Sequence, residues 1–121
     1  MLQHAGIEIA AKEVERAVLL FELLGFERVP APPSLGDGFT WVEREGTQIH
    51  LMHDDDPAVP SRGHVAVYVP EYEAALERLR EHGFEVVAGR EHWGAARGVV
   101  TLVGGQRVEL MAGRPGTRTG G

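Results

Sequence analysis

Four side chains of metal-ligand type stand at matched places in this 121-residue chain: His4, His50, His64 and Glu109. Imidazole nitrogen and carboxylate oxygen together form a ligand set for a divalent transition ion. His4 heads the apolar alternation His4-Ala5-Gly6-Ile7-Glu8-Ile9, and His64 heads His64-Val65-Ala66-Val67-Tyr68-Val69. Gly46-Thr47-Gln48-Ile49-His50-Leu51-Met52 is answered by Gly105-Gln106-Arg107-Val108-Glu109-Leu110-Met111. His4 to His50 spans 46 positions and His64 to Glu109 spans 45, so the chain reads as an internal duplication. A lone histidine reads first as a hydrogen-bonded core or surface group. Four ligand types at equivalent places of a duplicated unit read as one metal site.

The elements that must position them follow from periodicity. A strand is expected over 2–9, then a helix over 12–24 with Val14, Ala17, Val18, Phe21 and Leu24 at helical spacing and Gly25 as its stop. Residues 26–29 read as a short strand, and Pro30 to Gly38 as a loop. Residues 39–44 and 47–52 form a hairpin around Glu45-Gly46. The second half repeats this order: a strand over 64–69, then a helix over 71–82 with Ala75, Leu76 and Leu79 as its stripe. Gly83-Phe84-Glu85 restates Gly25-Phe26-Glu27. A loop over 88–98 precedes a hairpin of 99–103 and 106–111. Each half is thus βαβββ, an α+β class. Module one is 1–53, module two is 64–112, and the Asp- and Pro-rich stretch 54–63 links them. Asp54-Asp55-Asp56 lacks the alternation and closing Glu of a calcium loop, so it reads as a solvated turn. The segment 113–121 is rich in glycine and is expected to be disordered.

Alternation also says which residues share a face. Ile7, Ile9, Ile49, Leu51, Val65, Val67, Gln106, Val108 and Leu110 belong to the helix side. His4, Gly6, Glu8, Gln48, His50, Met52, His64, Ala66, Tyr68, Arg107, Glu109 and Met111 belong to the other. Two such bare faces must combine to enclose something, here a metal-binding cavity. A carboxylate buried there needs a cation or a strong donor beside Glu109.

Composition narrows the classes. Hydrophobic content is 43%, charged content 25% and net charge -6, with no cysteine. No stretch concentrates Lys and Arg, which argues against nucleic acid as partner. No thiolate site or disulfide is available. No signal peptide or membrane-length apolar run is seen, so a cytoplasmic location is expected.

At these residues the chain resembles the vicinal oxygen chelate superfamily, which includes glyoxalase I, fosfomycin-resistance enzymes, methylmalonyl-CoA epimerase, extradiol dioxygenases and bleomycin-resistance proteins. The resemblance runs from Leu2 to about Met111. It rests on the paired modules and on the ligands in first and last strands. It implies that His4, His50, His64 and Glu109 surround one divalent ion (Zn, Ni, Co, Mn or Fe), leaving two positions for vicinal oxygens of a small-molecule substrate. Glyoxalase I commonly has a glutamate at the place of His50, and the epimerase a glutamine. His50 is therefore a ligand, a donor to a ligand, or a substrate contact.

The expected function is a metal-dependent lyase or isomerase of the glyoxalase type, with proton transfer beside a metal-bound carbonyl. Glu109 would serve as base as well as ligand, with Glu8 on the same face as a second candidate. Gln48, Met52, Tyr68 and Arg107 on that face, with Arg90, Trp93 and Arg97 from the 88–98 loop, are the candidate substrate contacts. That loop closes over the site or is simply a solvated connection. The rivals are an extradiol-type dioxygenase, a thiol transferase for antibiotic resistance, and a non-catalytic drug-binding protein. Related proteins often complete their cavity with a second chain, so a homodimer is expected.

Overall fold

A computed structural model describes residues 1–116. The first half runs β1 (His4–Ile9), α1 (Val14–Leu23), β2 (Glu27–Val29), β3 (Phe39–Arg44) and β4 (Thr47–His53). The second runs β5 (Val65–Tyr68), α2 (Tyr72–Glu81), β6 (Val87–Ala88), β7 (Arg97–Thr101) and β8 (Arg107–Met111). Two four-stranded sheets result, ordered β1-β4-β3-β2 and β5-β8-β7-β6. This is the expected α+β class with two βαβββ modules. The chain divides into two compact units, Met1–Gly63 with Val103–Gln106, and His64–Leu102 with the described residues that follow Gln106.

In each unit the helix ends where its Gly-Phe-Glu phrase begins. Gly25 has φ 92 and Gly83 has φ 83, a backbone that a side chain would strain. Gly25 N donates to Glu22 O and Phe26 N to Phe21 O, both at 3.0 Å. Gly83 N donates to Arg80 O at 3.0 Å and Phe84 N to Leu79 O at 2.9 Å. Both ends are thus Schellman motifs, which satisfy the last carbonyls of the helix. The phenylalanine then turns inward, and both Phe26 and Phe84 are buried. Phe26 meets Phe21 edge to face, with centroids 5.4 Å apart.

The helical stripes pack as their spacing predicts. Val14, Ala17, Val18, Leu20 and Phe21 of α1 are buried, as are Ile9, Val42, Ile49 and Leu51 of the first sheet. Ala75, Leu76 and Leu79 of α2 are buried, with Val67, Val100, Val108 and Leu110 in the second unit. Burial of each Val, Leu, Ile or Phe among them contributes about 1.5–3 kcal/mol. The turn Glu45-Gly46 joins β3 to β4 with φ 50 and 81, a two-residue hairpin whose twist matches the strands.

Several element boundaries differ from the sequence expectation. β7 begins at Arg97 rather than at residue 99, and ends at Thr101. β6 pairs Val87 with Val99 and Ala88 with Gly98, so the 88–98 loop is shorter than expected. Two exposed residues with no alternation to mark them could not announce that strand. Gln106 is not a ladder residue of β8. It is buried in the first unit and donates to Glu8 O at 3.0 Å and Ala58 O at 3.2 Å. The expected disorder of the tail falls, for 117–121, outside the described residues. Among the described residues no helix is long and apolar enough to cross a membrane.

Gly98 lies where β6, β7 and α2 crowd. A Cβ there would stand 2.7 Å from Val86 Cγ1 and 2.9 Å from the Tyr72 hydroxyl. Gly38 has nothing within 4 Å of such an atom. Gly98→Ala is expected to lower urea-unfolding stability by about 1–3 kcal/mol. Gly38→Ala should stay within about 0.5 kcal/mol of the wild type. Equal midpoints for the two variants would contradict the crowding.

Candidate metal and substrate site

In the first unit, β1 pairs with β4 in parallel and β3 with β4 antiparallel. Gly6 and Trp41 flank His50, and His4 and Glu43 flank Gln48. Residues directly opposite one another share a face, so these side chains meet. The His50 ring stacks on Trp41, with centroids 3.8 Å apart and planes at 3°. His4 stacks on it too, at 4.1 Å and 15°. His4 Nδ1 also contacts the Gln3 side-chain oxygen.

A chain of polar contacts sets the His50 tautomer. Gln48 Nε2 donates to Glu43 Oε1 at 2.9 Å, and a carboxylate can only accept. The amide oxygen of Gln48 therefore faces His50, at 2.8 Å from its Nε2. Nε2 must carry the hydrogen, which leaves Nδ1 as the lone pair of neutral His50. Burial, and then the neighbouring His4, lower the His50 pKa below its ordinary 6.5. Both causes disfavour the imidazolium.

The other expected residues of this face are accounted for. Met52 reaches under Gly6, its Cε 3.0 Å from where a Cβ would sit. Glu8 accepts the Ala58 N–H at 3.1 Å through Oε1, so its carboxylate holds the stretch after β4. His53 ends β4 and pairs with Thr40 Oγ1 at 2.9 Å.

In the second unit Ala66 of β5 and Val99 of β7 flank Glu109 of β8. His64 immediately precedes β5, and its Nε2 lies 3.4 Å from Glu109 Oε2. Arg97 Nη2 donates to the same oxygen at 3.1 Å. The Glu109 side chain is only 15% exposed, so it needs this cation. Arg97 was expected on a loop as a substrate contact. Instead it opens β7, donates through Nη1 to Arg90 O at 3.1 Å, and passes over Gly89. Its Nε is buried with no hydrogen-bond partner. Arg90 extends to solvent, and Arg107 is half-buried on β8 opposite Thr101. Tyr68 and Trp93 line one cavity in this unit.

Three residues escaped the sequence reading. Trp41 and Glu43 lie on β3, whose alternation from Phe39 to Arg44 held the signal. Arg114 lies in the segment expected to be disordered, yet its guanidinium sits 4.6 Å from the Tyr68 ring centre. No periodicity could have shown that contact.

Each unit holds side chains of divalent-ion ligand type: two stacked imidazoles in the first, an imidazole beside a part-buried carboxylate in the second. Among the described residues, neither unit by itself gathers three ligand side chains for a metal.

No family model and no curated protein matches this sequence. Solved structures do match. A glyoxalase family protein from Bacillus anthracis is 25% identical, with TM-score 0.79, covering 92% of this chain and 93% of that one. The fold is that of the vicinal oxygen chelate superfamily. The fosfomycin resistance protein FosX of Listeria monocytogenes, solved with Mn(II) and sulfate ion, is 18% identical with TM-score 0.73, covering 98% and 94%. Oxidase ChaP-H2 is 20% identical with TM-score 0.74, covering 100% and 98%. In this chain His4, His50 and Glu109 lie on the first or last strand of their module, and His64 immediately precedes the first strand of the second.

Two measurements test this geometry. In EDTA-treated protein, the His50 ring proton is expected to titrate below pH 6.5, and His4→Ala should move that pKa upward. A lowered histidine binds its proton less readily when folded. Its contribution to stability is therefore present above pH 6.5 and lost as pH falls through the folded pKa. A His50 that titrates at or above 6.5 would contradict the stack. Separately, Arg97→Met leaves Glu109 part-buried without its cation and should cost about 3 kcal/mol in urea unfolding. A loss within about 0.5 kcal/mol would show that the pair carries nothing.

Proposed function

We propose that this chain is a divalent-metal enzyme that binds a small substrate through two vicinal oxygens and moves a proton beside its carbonyl, as glyoxalase-type lyases and isomerases do. The observation that carries the reading is Glu109, a part-buried carboxylate 3.4 Å from His64 Nε2. His4 and His50 are the corresponding pair on the strands of the first unit. In this reading His4, His64 and Glu109 hold the ion, with His50 Nδ1 as a fourth donor. A bound divalent ion acts as a Lewis acid, polarising a carbonyl and stabilising the oxyanion that develops.

The chain's own residues do the rest. Glu109 accepts the substrate proton on a carboxylate oxygen and returns it at the adjacent carbon. Arg97 anchors the carboxylate from the β7 side, so its position survives the transfer. Glu8 is the weaker candidate for base, because its carboxylate already receives the Ala58 N–H. The Trp41 ring excludes water from one face of His50, and His4 covers the other.

A second reading has its own support. If His50 only keeps its ring stack and its bond to Gln48 and does not reach the ion, two histidines and one carboxylate remain as ligands. That triad with open positions is the pattern of non-haem iron(II) oxygenases. The likeness to an oxidase adds to this reading.

Elemental analysis after reconstitution should find one divalent ion per chain in the wild type and a large loss in His64→Ala. Glu109→Gln keeps one oxygen for an ion but cannot take the proton. It should retain part of the metal while proton exchange at the carbon of an α-hydroxycarbonyl falls about 10²–10⁴-fold. Unchanged exchange in that variant would remove Glu109 as base. Oxygen uptake by iron-loaded protein with a catechol would favour the second reading over the first.

A further inference from the structure

The second unit contains a cavity of about 230 Å³ that the metal reading leaves unexplained. It has room for about eight waters at their liquid volume. Tyr68, Trp93, Ala95, Met111 and Pro115 supply most of its walls, and His92 and Arg114 add polar groups. Among the described residues that line it, Arg114 is the one formal charge, and there is no carboxylate. The whole chain carries a net charge of -6, so this local sign is opposite to the background. A cavity of that kind admits an anion and discriminates against a cation.

Two features give its aromatic walls direction. Trp93 is held at φ 51, a backbone region costly for a bulky side chain, between the bridged residues His92 and Ala95. Such strain persists only where neighbouring structure enforces it, and here it leaves Trp93 47% exposed at the cavity. Arg114 lies over Tyr68, with its guanidinium 4.6 Å from the ring centre. Stacking engages the face of a guanidinium, whereas its N–H donors lie in the plane and suit a carboxylate.

The cavity adjoins the proposed reacting centre. Ala66 lines it and stands opposite Glu109 in the β5–β8 register. Met111 lines it too, two residues along the same strand face from Glu109, a distance of about 7 Å. A ring in the cavity would therefore lie on the same strand face as Glu109, about 7 Å from it.

We propose that this cavity binds the flat aromatic part of an anionic substrate, with the ring against Trp93 and Tyr68 and a carboxylate on Arg114. The assignment of substrate class rests on the metal-enzyme reading above, but binding in the cavity does not require the ion. None of the four proposed ligands lines it.

The test is isothermal titration calorimetry on EDTA-treated full-length protein, with 2-naphthoate, uncharged 2-naphthamide and cationic 2-naphthylmethylammonium as probes. One naphthoate should bind per chain, at least tenfold more tightly than the cation. Arg114→Gln should weaken naphthoate about tenfold while leaving the amide within about twofold. Trp93→Ala should weaken naphthoate and amide alike, and circular dichroism will establish that both variants are folded. Equal affinity for anion and cation, an Arg114→Gln variant that binds naphthoate as the wild type does, or no binding to the wild type would each overturn the proposal. Anion binding in a protein that never takes up metal would sink the metal-enzyme reading and leave the cavity assignment standing.

Discussion

Everything at the candidate site depends on the parallel pairing of first and last strands within each module. β1 lies against β4, and β5 against β8. Parallel neighbours cannot be joined by a tight turn, so the chain must leave the sheet and return. The helix and two further strands are that return path. Register then decides chemistry: with a side-chain period of two, a one-residue slip would turn His50 or Glu109 into the core and Leu51 or Leu110 outward. The fully buried Leu51 and Leu110 resist that slip, and so hold their neighbours on the opposite face.

The two units use the same scaffold for opposite electrostatics. In the first, aromatic rings stack, and burial works against charge on His50. In the second, a part-buried carboxylate lies against an arginine and a neighbouring histidine. Duplication therefore supplied equivalent positions, and divergence made one set aromatic and the other charged. Both kinds are ligands that a divalent ion accepts, since neutral imidazole offers a lone pair and a carboxylate offers compensating charge.

A fold of this kind hosts many reactions, so the architecture limits the answer without naming it. The discriminating chemistry lies in groups off the shared ligand positions. The Glu43–Gln48–His50 chain decides which histidine nitrogen is available, and Arg97 occupies one side of Glu109.

The sequence alone was enough for the duplication, the βαβββ order and the helix stops at Gly25 and Gly83, because each is a local pattern of spacing and turn chemistry. The helical stripes and the sheet faces carrying His50 and Glu109 were legible for the same reason. What lay beyond it involved partners distant in the chain. That Arg97 belongs to β7 and pairs with Glu109 depends on strand register, which a loop rich in charge does not advertise. That Gln106 turns to Glu8 O and Ala58 O depends on a contact across nearly the whole chain. That Arg114 lies over Tyr68, and that Trp41 covers His50, are packing outcomes between elements. Periodicity reports which way a side chain points on its own strand; only the tertiary structure decides what it meets there.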